Sequence, residues 1–500
     1  MNFLRREPHI ALSDFVKNKS YKGVLILPFA IVQKKAVPLF SDFSFKEIDH
    51  LASLGDFQAK ESEISFFYPM KGPFERVLLL GLGEIEKVSL ETIRRVFGSL
   101  ERFLASKKWF QVLVPNFHLK EIRREKLLEA FLEGFLLSSY QFSLKKEETA
   151  KEYRLTLLDF GVSKKSVEEI IVVIKSVFLA RDLANGNADL VTPSYLAKTA
   201  KSFSKGNLRV SVLDKKELEK EKMGLLLAVG RGAKEEPKLI LGEYIGDPKS
   251  KDLIALVGKG VTFDTGGLNL KPSGSIETQK ADMSGAAAVL GALIAAKDLK
   301  LKVNLIAAIP TAENAIDSLS YKPGDVYKSF SEKTVEITNT DAEGRLILAD
   351  AISYVKKKYP ITRLIDLATL TGAILVTFGH EVSGMMSNDE TLSKALIKAG
   401  ENTFERVWPL PIYPEWRELL KSDIADISNS GGRLGSSITA ALFLKEFVQD
   451  TPWAHLDIAG TAFLPKPGKY CTKGATGVGV RLLIEYLKLL QAKPKDRPKK

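Results

Sequence analysis

The octapeptide NTDAEGRL, residues 339–346, sets Asp341, Glu343 and Arg345 on alternate positions between a strand-like run, Thr334 to Thr338, and a helical one, Leu346 to Lys358. Two other stretches carry comparable side chains. The run ALVGKGVTF contains Lys259 and is followed at once by DTGGLNLKPSG, with Asp264 and Lys271, while Asp282 in KADM stands just before the small-residue run SGAAAVLGALIAA. In open α/β sheets ligands collect at the carboxyl ends of strands, and these three places flank apolar runs in that manner. Brought together, Asp264, Asp282, Asp341 and Glu343 would repel one another unless positive charge accompanied them. Two divalent ions would supply it, and an all-oxygen set suits a two-metal hydrolytic centre of Mn²⁺ or Zn²⁺ character. A salt-bridge network with Lys259, Lys271 and Arg345 is the rival reading. Spacing alone leaves the two open, because it does not show that the three segments meet.

Other catalytic patterns are missing. His380 and Glu381 begin an HExxH, but Gly384 occupies the place of the second His. No G-x-S-x-G elbow or GxxxxGK[ST] loop is present, and the GLG at 81–83 lacks the third glycine of a dinucleotide fingerprint, so it reads as a tight turn after a strand. The five histidines, His9, His50, His118, His380 and His455, read as surface or satisfied core residues. Cys471, the single cysteine, excludes an internal disulfide and a cysteine-based zinc cluster, and reads as a buried structural thiol rather than a nucleophile.

The elements that must position these residues follow from periodicity. GVLILPFAIV, RVLLLGLG and WFQVLVP read as strands and SLETIRRVFGSLERFLAS as a helix, giving an N-terminal α/β domain over 1–165. EEIIVVIKSVFLARDLANG reads as a bridging helix, so 166–185 is taken as a linker helix. Beyond it, ALVGKGVTF, VNLIAAIP, TVEITNT, LIDLATL and WAHLDIA alternate with helical patterns, which predicts a mostly parallel central sheet flanked by helices in a larger catalytic α/β domain over 186–492.

Composition adds boundaries of its own. Hydrophobic residues at 45% and charged residues at 27% of 500 describe a globular chain. MNFLRREPHIALSDF has no apolar core of a secretory signal, which points to a cytoplasmic protein. GAAAVLGALIAA and LATLTGAILVTFG fall short of the roughly 18 apolar residues of a spanning helix and read as buried core, so no membrane association is expected. The net charge is +12, and the tail KPKDRPKK, residues 493–500, reads as a disordered basic end.

NTDAEGRL, with VGKGVTFDTGGLNLKPS and KADMSGAAAV upstream and DLATLTGA and HLDIAGTA downstream, resembles the leucyl aminopeptidase (cytosol aminopeptidase) family of dinuclear metallopeptidases. The likeness covers about residues 170–490, while the N-terminal part matches only in size and α/β character. The resemblance implies one metal held by Lys259, Asp264, Asp282 and Glu343, and a second held by Asp264, Asp341 and Glu343. It implies further that Lys271 polarises the peptide carbonyl and that Arg345 holds a bicarbonate acting as general base. The substrate pocket is expected at Gln279, Asn339, Thr369, Leu370, Gly372 and Ala462. Gln279 and Ala462 stand where family members carry Met, which predicts relaxed or shifted specificity away from leucine. The resemblance also implies peptide substrates with a free N-terminus and a homohexamer, with GGRLGSSITAA lining the site. The alternative carried alongside is an additional DNA-binding or architectural role, through the basic surface and tail.

Overall fold

The computed structural model describes residues 9–16, 19–145 and 152–491. The tail at 493–500 lies outside the described residues. The chain divides into two compact units, and the division falls inside one helix, Lys164–Asn185, between Ile174 and Lys175; Lys466–Lys473 group with the first unit.

In the first unit the runs predicted as strands form a seven-stranded sheet in the order His9–Ser13, Arg154–Leu158, Gln111–Pro115, Tyr21–Val32, Phe74–Glu84, Ile64–Phe67, with Lys35–Pro38 beside Tyr21–Val32. Pairing along the middle is parallel, and Ile64–Phe67 and Lys35–Pro38 add antiparallel edges. The GLG stretch is not a turn after the strand but its last rungs. A side chain at Gly81 would lie 2.1 Å from the Lys60 carbonyl oxygen, so the glycine is there for close backbone approach.

The second unit is built on a nine-stranded sheet. Its order is Val407–Pro409, Ser383–Ser387, Trp453–Asp457, Arg363–Ala368, Leu253–Gly258, Asn304–Asn314, Lys238–Ile245, Leu208–Leu213, with Gly260–Asp264 on the far half of Asn304–Asn314. The middle strands run parallel, whereas Lys238–Ile245 and Ser383–Ser387 run antiparallel to their inner neighbours. The expected mostly parallel sheet is therefore present with mixed edges.

The run ALVGKGVTF is two strands rather than one, Leu253–Gly258 and Gly260–Asp264, and both lie along Asn304–Asn314; the register carries across the break, with Val257 opposite Ala308 and Gly260 opposite Thr311, and shifts between Val261 and Asp264. Pro310 sits across the break and has no N–H to give the ladder. Lys259 there turns its backbone elsewhere: its N–H donates to the Leu367 carbonyl and its own carbonyl accepts from Ala286.

Small residues explain how the helix Ser284–Asp298 reaches this spot. A side chain at Gly285 would sit 2.1 Å from the Leu367 oxygen, and one at Gly258 would sit 2.6 Å from the Gly285 oxygen. The helix is buried along nearly its whole length, as expected of GAAAVLGALIAA. LATLTGAILVTFG behaves differently. It splits into a strand end and the short helix Gly372–Phe378, of which only Ile374 is buried, and Val376 is 88% exposed.

TVEITNT also departs from expectation. Only Thr334–Glu336 is strand, and it belongs to a separate three-stranded sheet with Val326–Lys328 and Ile427–Ser428. Three residues pair there because Asn429 and Gly324 take over the backbone hydrogen bonds of Ile337 to Asn339.

The helix Glu343–Lys358 is fixed at its middle by Asp350, fully buried, whose carboxylate accepts from the N–H groups of Leu225 and Leu226, at 2.9 Å each, and of Phe330 at 2.7 Å. Asp350→Ala would leave those three donors buried and unpaired. A loss of roughly 3–5 kcal/mol is expected, read as a lower urea midpoint.

Candidate active site

Every residue singled out above for metal binding, catalysis or the substrate pocket lines one cavity of about 820 Å³ in the second unit. Asp264 ends its strand and is held from behind, accepting on Oδ1 from Gly266 N–H and Asn314 Nδ2, both at 2.8 Å. Gly266 and Gly267 have φ of 86° and 63°, the left-handed turn that lets DTGG fold back on itself. Asp282 follows the short helix Ile276–Ala281 and accepts from the Thr369 hydroxyl at 2.7 Å.

Glu343 and Arg345 occupy the first turn of their helix, which begins at Glu343, three residues earlier than the sequence pattern indicates. Alternation along an extended loop is therefore not what brings Asp341 and Glu343 together. Asp341 lies in the turn before the helix and Glu343 is the helix's first residue. Carboxylate oxygens of Asp264, Asp341 and Glu343 nonetheless lie within 4.8 Å of one another.

Two lysines thread this cluster. Lys259 Nζ lies 2.8 Å from Asp282 Oδ2 and 2.9 Å from Glu343 Oε1, and it donates to the Thr369 carbonyl at 2.9 Å. Lys271 Nζ lies 2.8 Å from Asp264 Oδ2 and 2.5 Å from Asp341 Oδ1. Burial pushes the Lys259 ammonium down, but the charges of Asp282, Glu343 and Asp264 outweigh it and hold the group above its ordinary value. Lys271 follows the same logic, with Asp264 its strongest partner.

Two ammonium groups do not neutralise four carboxylates. Burial and the neighbouring Glu343 charge push Asp264 up to about 6, and raise Asp282 and Asp341 as well. Burial acts against Glu343 too, yet Lys259 and Lys271 hold it below its ordinary value. Its Oε2 is buried without a hydrogen-bond partner. An all-oxygen, net-negative cluster with an unpartnered carboxylate oxygen fits hard or borderline divalent cations.

Arg345 is buried, donates from one terminal nitrogen to the Asn429 carbonyl at 2.9 Å, and has no partner for Nε. Burial lowers it to about 10, against the pull of Glu343, Asp457 and Asp341, so it stays cationic at neutral pH. Among the pocket residues, Asn339 accepts from Asp341 N–H at 2.9 Å, Gln279 donates to the Ser275 carbonyl at 2.9 Å, and Ala462 is buried.

Several residues in the site escaped sequence reasoning. Asn429, fully buried, accepts on Oδ1 from the N–H groups of Thr338 and Asn339 and donates from Nδ2 to the Asn339 carbonyl at 2.7 Å. Its amide thus holds the start of the NTDAEGRL turn, while its carbonyl holds Arg345. Nothing around it, in DISNSGG, marks it out in sequence. Asn429→Ala is expected to lower kcat about 10–100-fold with little change in KM or circular dichroism, since it misplaces the turn rather than unfolding it.

Asp457 was legible in principle, because it ends the strand Trp453–Asp457 at the sheet's carboxyl edge. It accepts from Leu370 N–H, Ala459 N–H and the Thr371 hydroxyl, joining two walls of the cavity. His380 lies on the cavity wall, its Nδ1 2.6 Å from the Gly460 carbonyl, and is more than a surface residue. His455 is buried against Asp366 at 2.6 Å, as a satisfied core histidine would be on that side of its ring. Cys471 is partly buried and forms no disulfide.

A largely parallel sheet with carboxylates, lysines and an arginine around a cavity gives the second unit the arrangement of an α/β catalytic domain. Residues 178–484 match the model of the Cytosol aminopeptidase family, catalytic domain, and residues 34–149 match that of its N-terminal domain. The chain belongs to the cytosol aminopeptidase family. It is 50% identical over 495 residues to a "Probable cytosol aminopeptidase" of Protochlamydia amoebophila (strain UWE25), covering 96% of this chain and 98% of the relative. It is 42% identical over 481 residues to a protein of the same name from Chlamydia caviae, covering 94% and 96%. Among solved structures, the bottromycin maturation enzyme BotP in complex with Mn is similar with a TM-score of 0.83 and 30% identity, over 94% of this chain and 99% of that one.

The protein is thus an aminopeptidase and a hydrolase. The family match corrects one expectation: the likeness does not begin near 170 but takes in the N-terminal unit as well, whose apolar strands carry too little chemistry to announce a family. The DNA-binding alternative gains no support from these relatives. No helix among the described residues is long and apolar enough to cross a membrane.

Proposed function

We propose that this chain is a cytoplasmic metal-dependent aminopeptidase that releases the first residue of peptides with a free N-terminus. One ion would be held by Lys259, Asp264, Asp282 and Glu343 and a second by Asp264, Asp341 and Glu343. The observation that carries this reading is the grouping of Asp264, Asp341 and Glu343 within 4.8 Å around a buried Glu343 oxygen that has no hydrogen-bond partner. Two divalent ions there, Mn²⁺ or Zn²⁺, would supply an acidified water and electrophilic help at the scissile carbonyl.

The chain's own groups do the rest. A free α-amino group on the substrate would be recognised as the neutral amine at the loaded site, which confines cleavage to the first residue. Lys271, only 15% exposed, is placed to donate to the oxyanion that develops on the carbonyl oxygen. Arg345, with Nε unpartnered, is suited as a planar fork to hold a bicarbonate serving as base. Lys259 would ligate as the free amine, which a neighbouring dication enforces.

Gln279, where the family pattern places a soft Met, and the small Ala462 favour a broad or shifted preference at the first residue. A panel of aminoacyl-anilides is expected to show several residues within about tenfold of leucine; leucine preferred by orders of magnitude overturns that. Assembly as a homohexamer is proposed from family membership, and a monomeric mass by light scattering would refute it.

The deciding experiment is anilide hydrolysis by the purified protein, before and after chelation and with Mn²⁺ or Zn²⁺ restored. Loss on chelation and recovery on reloading are expected. A metal-loaded protein inert on every free-amine substrate overturns the reading.

A further inference from the structure

The cationic groups of the cavity are unevenly engaged. Lys259 and Lys271 each meet two carboxylates, and Arg345 donates to a backbone carbonyl. Arg433, also on the cavity wall, is exposed and has no hydrogen bond or ion pair among the described residues. Its base is nevertheless fixed. Asn429 anchors the start of the loop, Gly432 and Gly435 take left-handed conformations at φ 81° and 58°, and Ser437 beyond it meets the Thr371 hydroxyl at 2.7 Å. Gly435 also opens the 13-residue helix Ser436–Val448 with no side chain to cap it, so the helix end adds potential of the same sign beside Arg433.

The cavity is thus lined by the proposed ion ligands Asp264, Asp341 and Glu343 and, separately, by the uncommitted cation of Arg433. A short peptide carries an amine at one end and a carboxylate at the other. Its ammonium and carboxylate ends are about 7 Å apart in an extended dipeptide, at roughly 3.5 Å per residue, which a cavity of about 820 Å³ accommodates. We propose that Arg433 receives a carboxylate carried by the substrate beyond the scissile bond, so that the enzyme favours dipeptides and other short peptides with a free C-terminus. This rests on the aminopeptidase reading above and names its substrate class.

The test compares kcat/KM for Leu-Gly with that for Leu-Gly-NH₂, in the metal-loaded wild type and in Arg433→Gln and Arg433→Lys. The wild type is expected to prefer the free acid roughly tenfold, Arg433→Gln to lose that preference mainly through KM, and Arg433→Lys to keep most of it. A second pair, Leu-Asp-NH₂ against Leu-Asn-NH₂, separates a side-chain carboxylate from the terminal one; a preference that depends on Arg433 only in this pair overturns the terminal assignment. Equal ratios in wild type and Arg433→Gln overturn the proposal outright. Inactivity of the wild type on all of these would instead strike the aminopeptidase reading, and anilide hydrolysis reports on that independently.

Discussion

Glu343→Gln is expected to lower kcat/KM by on the order of 10³-fold or more while the protein stays folded. Glu343 is the common member of the site: its Oε1 meets Lys259 at 2.9 Å, and it groups with Asp264 and Asp341. Glutamine has nearly the same shape but loses one negative charge, and its NH₂ must face either the Lys259 ammonium or the neighbouring carboxylates. Metal content should fall with activity. Stability should change little, because the lost attraction to Lys259 is offset by relief of repulsion at Asp264, Asp282 and Asp341, all of which Glu343 raises. Elemental analysis and steady-state kinetics on the same preparation check this. Near-wild-type turnover with full metal content would sink the assignment of Glu343 to both ions.

Gly344→Ala is expected to cost about 10²-fold in kcat/KM while the protein stays folded. The added methyl would lie 2.4 Å from Lys259 Cε, 2.6 Å from Nζ and 2.7 Å from Cδ. A flexible lysine tip would ordinarily step aside. Here it is buried and tied to Asp282, Glu343 and the Thr369 carbonyl, so stepping aside means leaving the cluster. The backbone at Gly344 is helical, where alanine is preferred over glycine by about 1 kcal/mol, which offsets part of the cost of displacing the buried lysine. Activity within about twofold of wild type, against the expected loss, would show that the Lys259 amine is not needed where it sits.

The acidic and basic residues of the site were legible because their types are rare inside proteins and each sits next to an apolar run. The metal and salt-bridge readings could not be separated that way. What bears on the choice is three-dimensional: the grouping of Asp264, Asp341 and Glu343, with a buried Glu343 oxygen that has no hydrogen-bond partner, favours the metal reading proposed above. Asp341, Glu343 and Arg345 were foreseen in one place for the wrong reason. Pattern reading began the helix at Leu346, the first residue of the apolar stripe, whereas the backbone turns at Glu343 because the site, rather than the core, uses the first turn. Asn429 was invisible because a polar residue in a loop has no periodicity, and its value lies in partners some 90 residues away in the chain, as with Thr338 and Asn339. The strand break at Lys259 was hidden likewise, since Gly258 and Gly260 flank it without interrupting the hydrophobic run.

That break has a consequence for how the protein resists unfolding. Lys259 is inserted between two strands that share one neighbour at the centre of the sheet, so its amide should exchange with solvent only when the sheet as a whole opens. An ion bound through such a residue, as proposed above, would add its binding free energy to the global stability of the second unit, and the apparent unfolding temperature would become a gauge of metal concentration.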